Sequence, residues 1–498
     1  MARAPTEGTA LPERGAAEPV AREYAELREF FDAFAADEQR WRRRNRTYYR
    51  LLSQSFRFQI PPGQRVLEIG SGSGDLLAAL RPSVGVGVDV SPGMVRLARS
   101  RHPELRFEVA AGEQLDLGET FDYVVLSDLV AFVHDLQTLL ERVAVHSHVR
   151  TRVVINSYSR AWKPIIGLAE QLRLKPRKPI RNWVAPHDLH NLLELAGLEV
   201  LTTSRRILLP KHVPVLTTFL NGFLASLWPF NHLCLTYWVV ARPWAEPLEE
   251  QSVSVVCPCR NEEGHVPELV RRLPTLGTAT ELIFVEGGSS DGTRAEISRQ
   301  IELHPGLDIS LVDQPGRGKG DAVRAGFAVA KHEVLMILDG DLSVRPEDLP
   351  KFYRALVQGK VELVNGSRLV YDVEPGAMRF LNTVGNKTFS RLFKGVTGYY
   401  VKDTLCGTKA LLRRDYELIA AARPYFGEFD PFGDFDLLLG AARLNLKIVD
   451  LPVRYQPRAY GTTSISRWRH SWLLLRMMAF AYWKFKVALY SRRGRPPA

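Results

Sequence analysis

The stretch that decides the fold of the first half reads Val66-Leu67-Glu68-Ile69-Gly70-Ser71-Gly72-Ser73-Gly74-Asp75 and continues as Leu76-Leu77-Ala78-Ala79-Leu80. An apolar run enters three alternating glycines and leaves as a helical repeat, the pattern of a strand, a tight loop and a helix. Glycines let the backbone bend sharply and approach a ligand closely at the carboxyl end of a strand. Nineteen residues after Gly70, the run Gly87-Val88-Asp89-Val90-Ser91 ends a second strand on Asp89. A carboxylate there can accept hydrogen bonds from both hydroxyls of a ribose. Loop, spacing and acid together are a much stronger signal than a glycine pair alone.

A nicotinamide-dinucleotide loop would place a third glycine at the position of Asp75, and no Walker-type phosphate loop is present. The segment instead resembles the first two motifs of class I S-adenosylmethionine-dependent methyltransferases. Phe107–Leu115, Phe121–Val130 and Ala185–Val200 continue the resemblance, which covers about residues 45–241. It implies a Rossmann-like α/β domain in which Glu68, Gly70 and Gly72 shape the loop around the methionine end of S-adenosylmethionine. Asp89 would hold the ribose, Gly112 and Glu113 would flank the adenine, and Ser127 with Asp128 would border the pocket. The family often has Asp where this chain has Ala111, so one adenine contact falls to the backbone or is lost. The methyl acceptor is not legible. His134, Tyr158 and His187 are the nearest candidates by motif, each equally compatible with a structural role.

The α/β alternation returns after Glu250. Ser252–Glu263 reads as a strand and polar turn, and Glu281–Thr293 as another. Gly316–Phe327 then precedes the buried run Val334–Leu338, which ends in Asp339-Gly340-Asp341. Two carboxylates one residue apart at a strand mouth suit a hard divalent cation, which neutralises a diphosphate leaving group. An acidic turn is the ordinary alternative, and the ordered upstream signals argue against it.

That series resembles family 2 glycosyltransferases of the GT-A fold over about residues 252–460. The resemblance implies a nucleotide-sugar donor held by Pro258, Arg260, Glu262, Glu286, Asp291, Lys319 and Asp339, with Mg2+ or Mn2+ on Asp339 and Asp341. Asp321 pairs with Lys319 in the motif that precedes the metal residues. Asp434 and Asp436, in the acidic late motif, join Asp339 and Asp341 as catalytic-site residues, base and binding roles undivided. The usual paired Asp of the second motif is here Glu286-Gly287. Asn365–Arg368 and Asp403–Lys409 are similar to segments of polyprenyl-phosphate sugar transferases. They imply an acceptor site of Ser367, Arg368, Arg379 and Thr383, since guanidinium groups suit a phosphate. The favoured reading is metal-dependent inverting transfer of a sugar to polyprenyl phosphate or another lipid-linked acceptor, together with methyl transfer to an unidentified acceptor, in one bifunctional enzyme of glycan or cell-envelope biosynthesis. The alternative is a hydroxyl-acceptor polysaccharide or glycolipid transferase carrying a nonenzymatic S-adenosylmethionine-binding module.

A chain of 498 residues is long enough for two or three cores. The expected division is a disordered tail (1–22), a methyltransferase domain (23–243), a Pro/Glu-rich linker (244–251), a glycosyltransferase domain (252–460) and a basic amphipathic tail (461–498). Cysteines at 234, 257, 259 and 406 fit reduced thiols rather than a disulfide framework or metal site. Net charge is +11, and Leu451–Ala498 alone carries ten Lys/Arg and no acid, while Arg40–Arg50 carries six Arg. No nucleic-acid-binding signature accompanies that charge, so a membrane surface is the favoured partner and nucleic acid is not. Val213–Ala241 lacks any charged residue but is interrupted by Pro214, Asn221-Gly222 and Pro229–His232. It therefore reads as a helix over about Val215–Trp228 followed by a strand, and not as a span. The expected location is cytoplasmic, peripheral on the inner face of the plasma membrane.

Overall fold

The computed structural model describes residues 17–177, 179, 182–370, 380–426, 433–456 and 467–490. The chain divides into two compact units. One comprises Met1–Ser53, Pro62–Glu199 and Leu235–Pro243, the other Gln54–Pro61, Val200–Cys234 and Trp244–Ala498. The second unit therefore resumes at Trp244, inside the expected linker, and it also recruits two segments that the sequence assigns to the first domain.

The first sheet holds β1 (Arg65–Ile69), β2 (Val84–Asp89), β3 (Arg106–Val109), β4 (Phe121–Ser127), β5 (Ser147–Tyr158), β6 (Leu198–Arg206) and β7 (Thr236–Pro243). Their order is β3-β2-β1-β4-β5-β7-β6. β1 pairs in parallel with both β2 and β4, and β5 pairs antiparallel with β7. Val66, Leu67, Val124, Val125 and Ile155 are fully buried. Such near-continuous apolar strands are what a sheet covered on both faces requires. Each large side chain so buried contributes about 1.5–3 kcal/mol.

The second sheet holds β8 (Val253–Cys259), β9 (Thr280–Glu286), β10 (Asp308–Asp313), β11 (Val334–Ile337), β12 (Leu363–Ser367), β13 (Lys409–Leu412) and β14 (Ile448–Pro452). Their order is β10-β9-β8-β11-β13-β12-β14. β11 is parallel to β8 and antiparallel to β13. The core of this layer is built on Val255, Phe284, Met336, Leu349 and Phe352. Both halves are thus α/β domains, as the alternation of strands and helices requires.

Two local expectations change. A helix begins at Ala17 and runs to Arg44, inside the stretch read as a tail, and residues 1–16 lie outside the described residues. The expected helix over Val215–Trp228 is only Leu216–Gly222, followed by short 3-10 turns at Leu224–Ser226 and Phe230–Leu233. Side-chain chemistry accounts for the short helix. The Asn221 carbonyl oxygen accepts from the amides of Leu208 and Leu209 at 2.7 and 2.8 Å, which ties the helix end to the preceding loop. The basic tail forms a helix over Arg467–Tyr482 that continues as a wider turn through Val487, with Met477, Met478, Ala481 and Phe485 buried. Among the described residues, no helix is long and apolar enough to cross a membrane. All four cysteines are free and buried.

Candidate active sites

In the first unit, β1 delivers Glu68 and the glycine loop. Gly70, Gly72 and Gly74 have φ of 75°, 52° and 74°, a region that favours glycine. A Cβ on Gly74 would stand 2.5 Å from the Phe107 ring. Asp89, closing β2, accepts the Gly72 amide on one oxygen and the Ser91 amide on the other, each at 2.9 Å. Its carboxylate therefore holds the loop in shape as well as facing the cavity. Glu113 accepts from the amides of His134 and Asp135 at 3.1 and 3.3 Å.

These groups enclose a cavity of about 180 Å³, and Glu68, Gly70, Gly72, Asp89, Gly112, Glu113, Ser127 and Asp128 all line it. The opposite wall was missed by sequence reasoning. It is the Ala17–Arg44 helix, which contributes Tyr24, Leu27, Phe31, Phe34, Glu38 and Arg42. The signal was present, because those residues recur at intervals of three and four, one face of a helix.

Asp128, at φ 54°, is the polar focus of the pocket floor. It accepts from the Tyr48 hydroxyl at 2.7 Å, the Tyr158 hydroxyl at 3.2 Å and the Asn156 amide at 2.6 Å. Burial first, then the Asp128 charge, pushes both phenols well above the usual range. Of the three motif candidates, Tyr158 is therefore bonded to a cavity residue. His187 is largely exposed and pairs with Asp188 at 3.0 Å, while His134 donates its backbone amide to Glu113 and sets its ring 6.3 Å from that of Tyr24. Tyr48 and Asn156 carried no signal in the sequence.

Glu68 is 2% exposed, and burial pushes its carboxyl up to about 8. The group is thus protonated in the folded domain at neutral pH, while in the unfolded chain it ionises from about 4.5. Stability is expected to fall as pH rises between those two values, by up to about 1.4 kcal/mol per pH unit. The loss is absent below the lower value and complete above the upper one. Glu68→Gln should flatten that part of a melting-temperature profile between about pH 5 and about pH 8. An unchanged slope in the variant would show that another group carries it.

In the second unit, the carboxyl ends of β8, β9 and β11 converge with the loop before β13. Asp339 and Asp341 follow β11, and the Lys319 ammonium pairs directly with Asp339. Burial raises the Asp339 carboxyl, but Lys319, with Arg368 and Lys409 behind it, turns the net shift downward. Asp341 accepts the Ser343 amide at 3.0 Å. Lys409, fully buried, donates to Asp434 at 3.0 Å and to the Cys406 carbonyl. A side chain at Gly407 would meet the Lys319 ammonium and the Asp339 carboxylate, so it would displace the ends of both.

Asp436 sits elsewhere, bonded to Arg423 at 2.9 Å. Asp434 and Asp436, grouped by motif, thus have different partners.

The turn residues behave as clamps. Asp291 accepts the Thr293 amide at 3.0 Å, and Glu262 bonds His265 at 2.7 Å. Glu286 accepts the Ser289 amide at 2.6 Å, and Asp321 the Gly316 amide at 2.7 Å. Arg260 is exposed beside Pro258 at the end of β8.

Arg368, read as a phosphate grip, donates Nε and Nη2 to Asp403 at 2.7 and 2.9 Å. Arg368 in turn holds the buried Asp403 carboxyl down at about 2 against the cost of burial. Ser367, next to it, is fully buried. Arg379 lies outside the described residues, and of Thr383 only the helical backbone is described. A further acid–histidine group, Glu281, Asp308 and His332, stands at the amino ends of β9 and β10. There the Lys331 ammonium, 3.1 Å from Asp308 and 3.5 Å from Glu281, already supplies the positive charge.

Comparison with known proteins agrees with this division. The family model "Glycosyl transferase family 2" matches residues 254–418, and "Methyltransferase domain" matches residues 40–203. The glycosyltransferase AglJ of Haloferax volcanii is 30% identical over 214 residues, 42% of this chain and 65% of the relative. The chain thus spans just under two thirds of that relative's length. Among solved structures, a SAM-dependent methyltransferase of Thermotoga maritima is 18% identical, with 43% of this chain and 99% of that chain covered, at a TM-score of 0.35. Glucosyl-3-phosphoglycerate synthase of Mycobacterium tuberculosis is 19% identical, with 46% and 78% covered, at a TM-score of 0.34. With each family model falling on one of the two sheets, the chain carries a methyltransferase domain and a family 2 glycosyltransferase domain.

Proposed function

We propose that the second domain transfers a sugar from a nucleotide-sugar donor to an acceptor in glycan assembly, and that the first transfers a methyl group from S-adenosylmethionine. The observation that carries the sugar-transfer reading is the gathering of Asp339, Asp341 and Asp434 with Lys319 and Lys409 at the carboxyl ends of one sheet. The oxygen donors Asp339 and Asp341 suit Mg2+ or Mn2+, which when bound would neutralise charge on the departing diphosphate. Lys319 holds Asp339 ionised and adds positive charge beside it. Pro258, Arg260, Glu262, Glu286 and Asp291 shape the turns that would receive the nucleotide.

In the favoured chemistry an acceptor phosphate oxygen attacks the anomeric carbon as the bond to the diphosphate breaks, inverting that centre. A phosphate is already ionised, so no strong base is needed. One observation favours a second reading, in which the acceptor is a hydroxyl. Two N–H groups of Arg368 serve Asp403, which leaves fewer of its five donors for a phosphate. Asp434 would then act on the hydroxyl proton. Incubation with a panel of nucleotide sugars, Mg2+ or Mn2+, and either polyprenyl phosphate or glycan acceptors decides between them. Transfer only to hydroxyls rejects the phosphate reading, and no transfer to either rejects both.

The methyl-transfer reading rests on the fit of the first cavity to the cofactor. Glu68 Oε2 and Ser71 Oγ are buried there with no partner in the protein. They are suited to the polar methionine end of S-adenosylmethionine, while Asp89 faces the ribose. When bound, the cofactor supplies an electrophilic methyl group, and the chain's part is to place an acceptor in line with it. Asp128, oriented by Tyr48, Tyr158 and Asn156, stands where it could take a proton from that acceptor.

Membrane association belongs to the same proposal. Val200–Cys234 and Arg467–Tyr490 contain no acidic residue. On them Phe219, Phe223, Trp228, Trp472 and Trp483 are exposed, a combination suited to an anionic lipid surface on the cytoplasmic side. Cosedimentation with anionic vesicles that weakens in high salt is the expected result. Equal recovery with neutral vesicles would count against it.

A further inference from the structure

Between β5 and β6 the first unit carries a basic, apolar segment, Arg160–Arg177, to which the chemistry of neither domain assigns a role. It holds five cations (Arg160, Lys163, Arg173, Lys175 and Arg177) against one acid, Glu170. A turn at Arg160–Trp162 leads into a helix over Lys163–Gln171. The chain then closes on Ala169, whose carbonyl accepts the amides of Leu174 and Lys175 at 2.8 and 3.2 Å.

The apolar side chains of this helix face outward. Ile166 is buried, whereas Ile165, Leu168 and Leu172 are 50, 55 and 60% exposed, and Leu174 just beyond the helix is 42% exposed. Positions 165, 168 and 172 are three and four residues apart, so they form one stripe along the outer face. Apolar residues exposed singly are ordinary on a folded domain, but a stripe of them marks an interaction surface. Arg160, Lys163, Arg173 and Arg177 are exposed toward its two ends, and none of them makes an ion pair among the described residues.

The segment leaves from the cavity floor. β5 ends on Tyr158, and the Lys175 ammonium stands 4.5 Å from the centre of that ring. The Tyr158 hydroxyl donates to Asp128, which lines the cavity. Farther along, the Asn182 side chain donates to the carbonyls of Val133 and Val130 at 2.6 and 3.3 Å, which ties the return of the chain to the same wall. Outer surface and cavity floor thus meet at one side chain, Tyr158.

We propose that Arg160–Arg177 is a docking arm that lies in the interface of an anionic lipid bilayer. Ile165, Leu168, Leu172 and Leu174 enter the acyl boundary and the cations around them meet the headgroups. The charge balance selects this occupant, since negative headgroups over an apolar layer answer both the stripe and the surplus of cations. The membrane surface proposed above belongs to the second unit, whereas this arm belongs to the first and stands on its own observations. Its chemical consequence rests on the methyl-transfer reading: the methyl acceptor is then a membrane-presented molecule that reaches the cavity beside Tyr158.

The test uses the full chain. Its four native cysteines are buried, so an environment-sensitive thiol label reports on one introduced cysteine. Leu168→Cys and, in the second unit, Trp472→Cys are labelled and mixed with phosphatidylcholine vesicles with or without phosphatidylglycerol. Emission from position 168 should shift to the blue with phosphatidylglycerol, and the shift should shrink in high salt. Leu168→Glu with Leu172→Glu should weaken vesicle binding about tenfold, and Arg173→Gln with Arg177→Gln by about as much. All four side chains are exposed, so the melting temperature should hold in both pairs. A response at 472 with none at 168 overturns the arm and leaves the second-unit surface standing. A response at 168 that needs no phosphatidylglycerol, or vesicle binding untouched by both pairs of variants, overturns it too. A phosphatidylglycerol-dependent response at 168 in a chain that transfers no methyl group upholds the arm and rejects the methyl-transfer reading alone.

Discussion

Asp339→Ala is expected to lower sugar transfer by about 10²–10³-fold, the usual loss when a group stabilising transition-state charge is removed. The same change leaves the Lys319 ammonium without its carboxylate. Removing one member of a buried pair can cost about 3–5 kcal/mol, and this pair is about one-quarter exposed, so the lower end or less is expected. Activity and folding are therefore confounded in the single variant. Asp339→Asn combined with Lys319→Met separates them, since it removes both charges at once and should recover the melting temperature. Its transfer rate should stay low, because the carboxylate charge and the ammonium charge are both gone. A double variant that regains near-wild-type turnover would show that the pair is structural and that the acidic motif does not serve the reaction.

In the first domain the largest effect is expected from Asp89→Ala, which should weaken S-adenosylmethionine binding by about 10²-fold or more. Each hydrogen bond to a charged acceptor contributes about 1.5–3 kcal/mol when the alternative is an unpaired donor, and two ribose hydroxyls are served. The carboxylate also anchors the Gly72 and Ser91 amides, so its loss loosens the loop that faces the cofactor. Asp89→Asn keeps one acceptor and should lose less. Titration calorimetry on the full chain reads both variants directly, and a dissociation constant unchanged by Asp89→Ala would remove this residue from the site.

Much of both pockets was legible because their motifs are local. The glycine loop and Asp89 lie on adjoining strands of one βαβ unit, so their spacing in sequence determines their spacing in space. The seven residues expected around S-adenosylmethionine, from Glu68 to Ser127, all line one cavity for that reason. The same holds for Lys319 and Asp339, separated by a single helix and strand. The Tyr24–Arg42 wall was readable in principle from its three-and-four periodicity, but the Ala/Pro/Glu-rich residues before it obscured where the helix starts.

By itself, the sequence determined the two α/β domains, the glycine loop and the acidic pair, since each is written within a few tens of residues as strand, turn and helix. Tertiary structure alone decided which polar groups answer one another. Tyr48 reaches Asp128 across 80 positions, Arg368 is taken by Asp403 across 35, and Lys409 by Asp434 across 25. It also decided that Gln54–Pro61 and Val200–Cys234 join the second unit. The physical reason is that hydrophobic periodicity and turn chemistry act over neighbouring residues, whereas desolvation forces a buried charge to find whichever opposite group the folded chain places beside it.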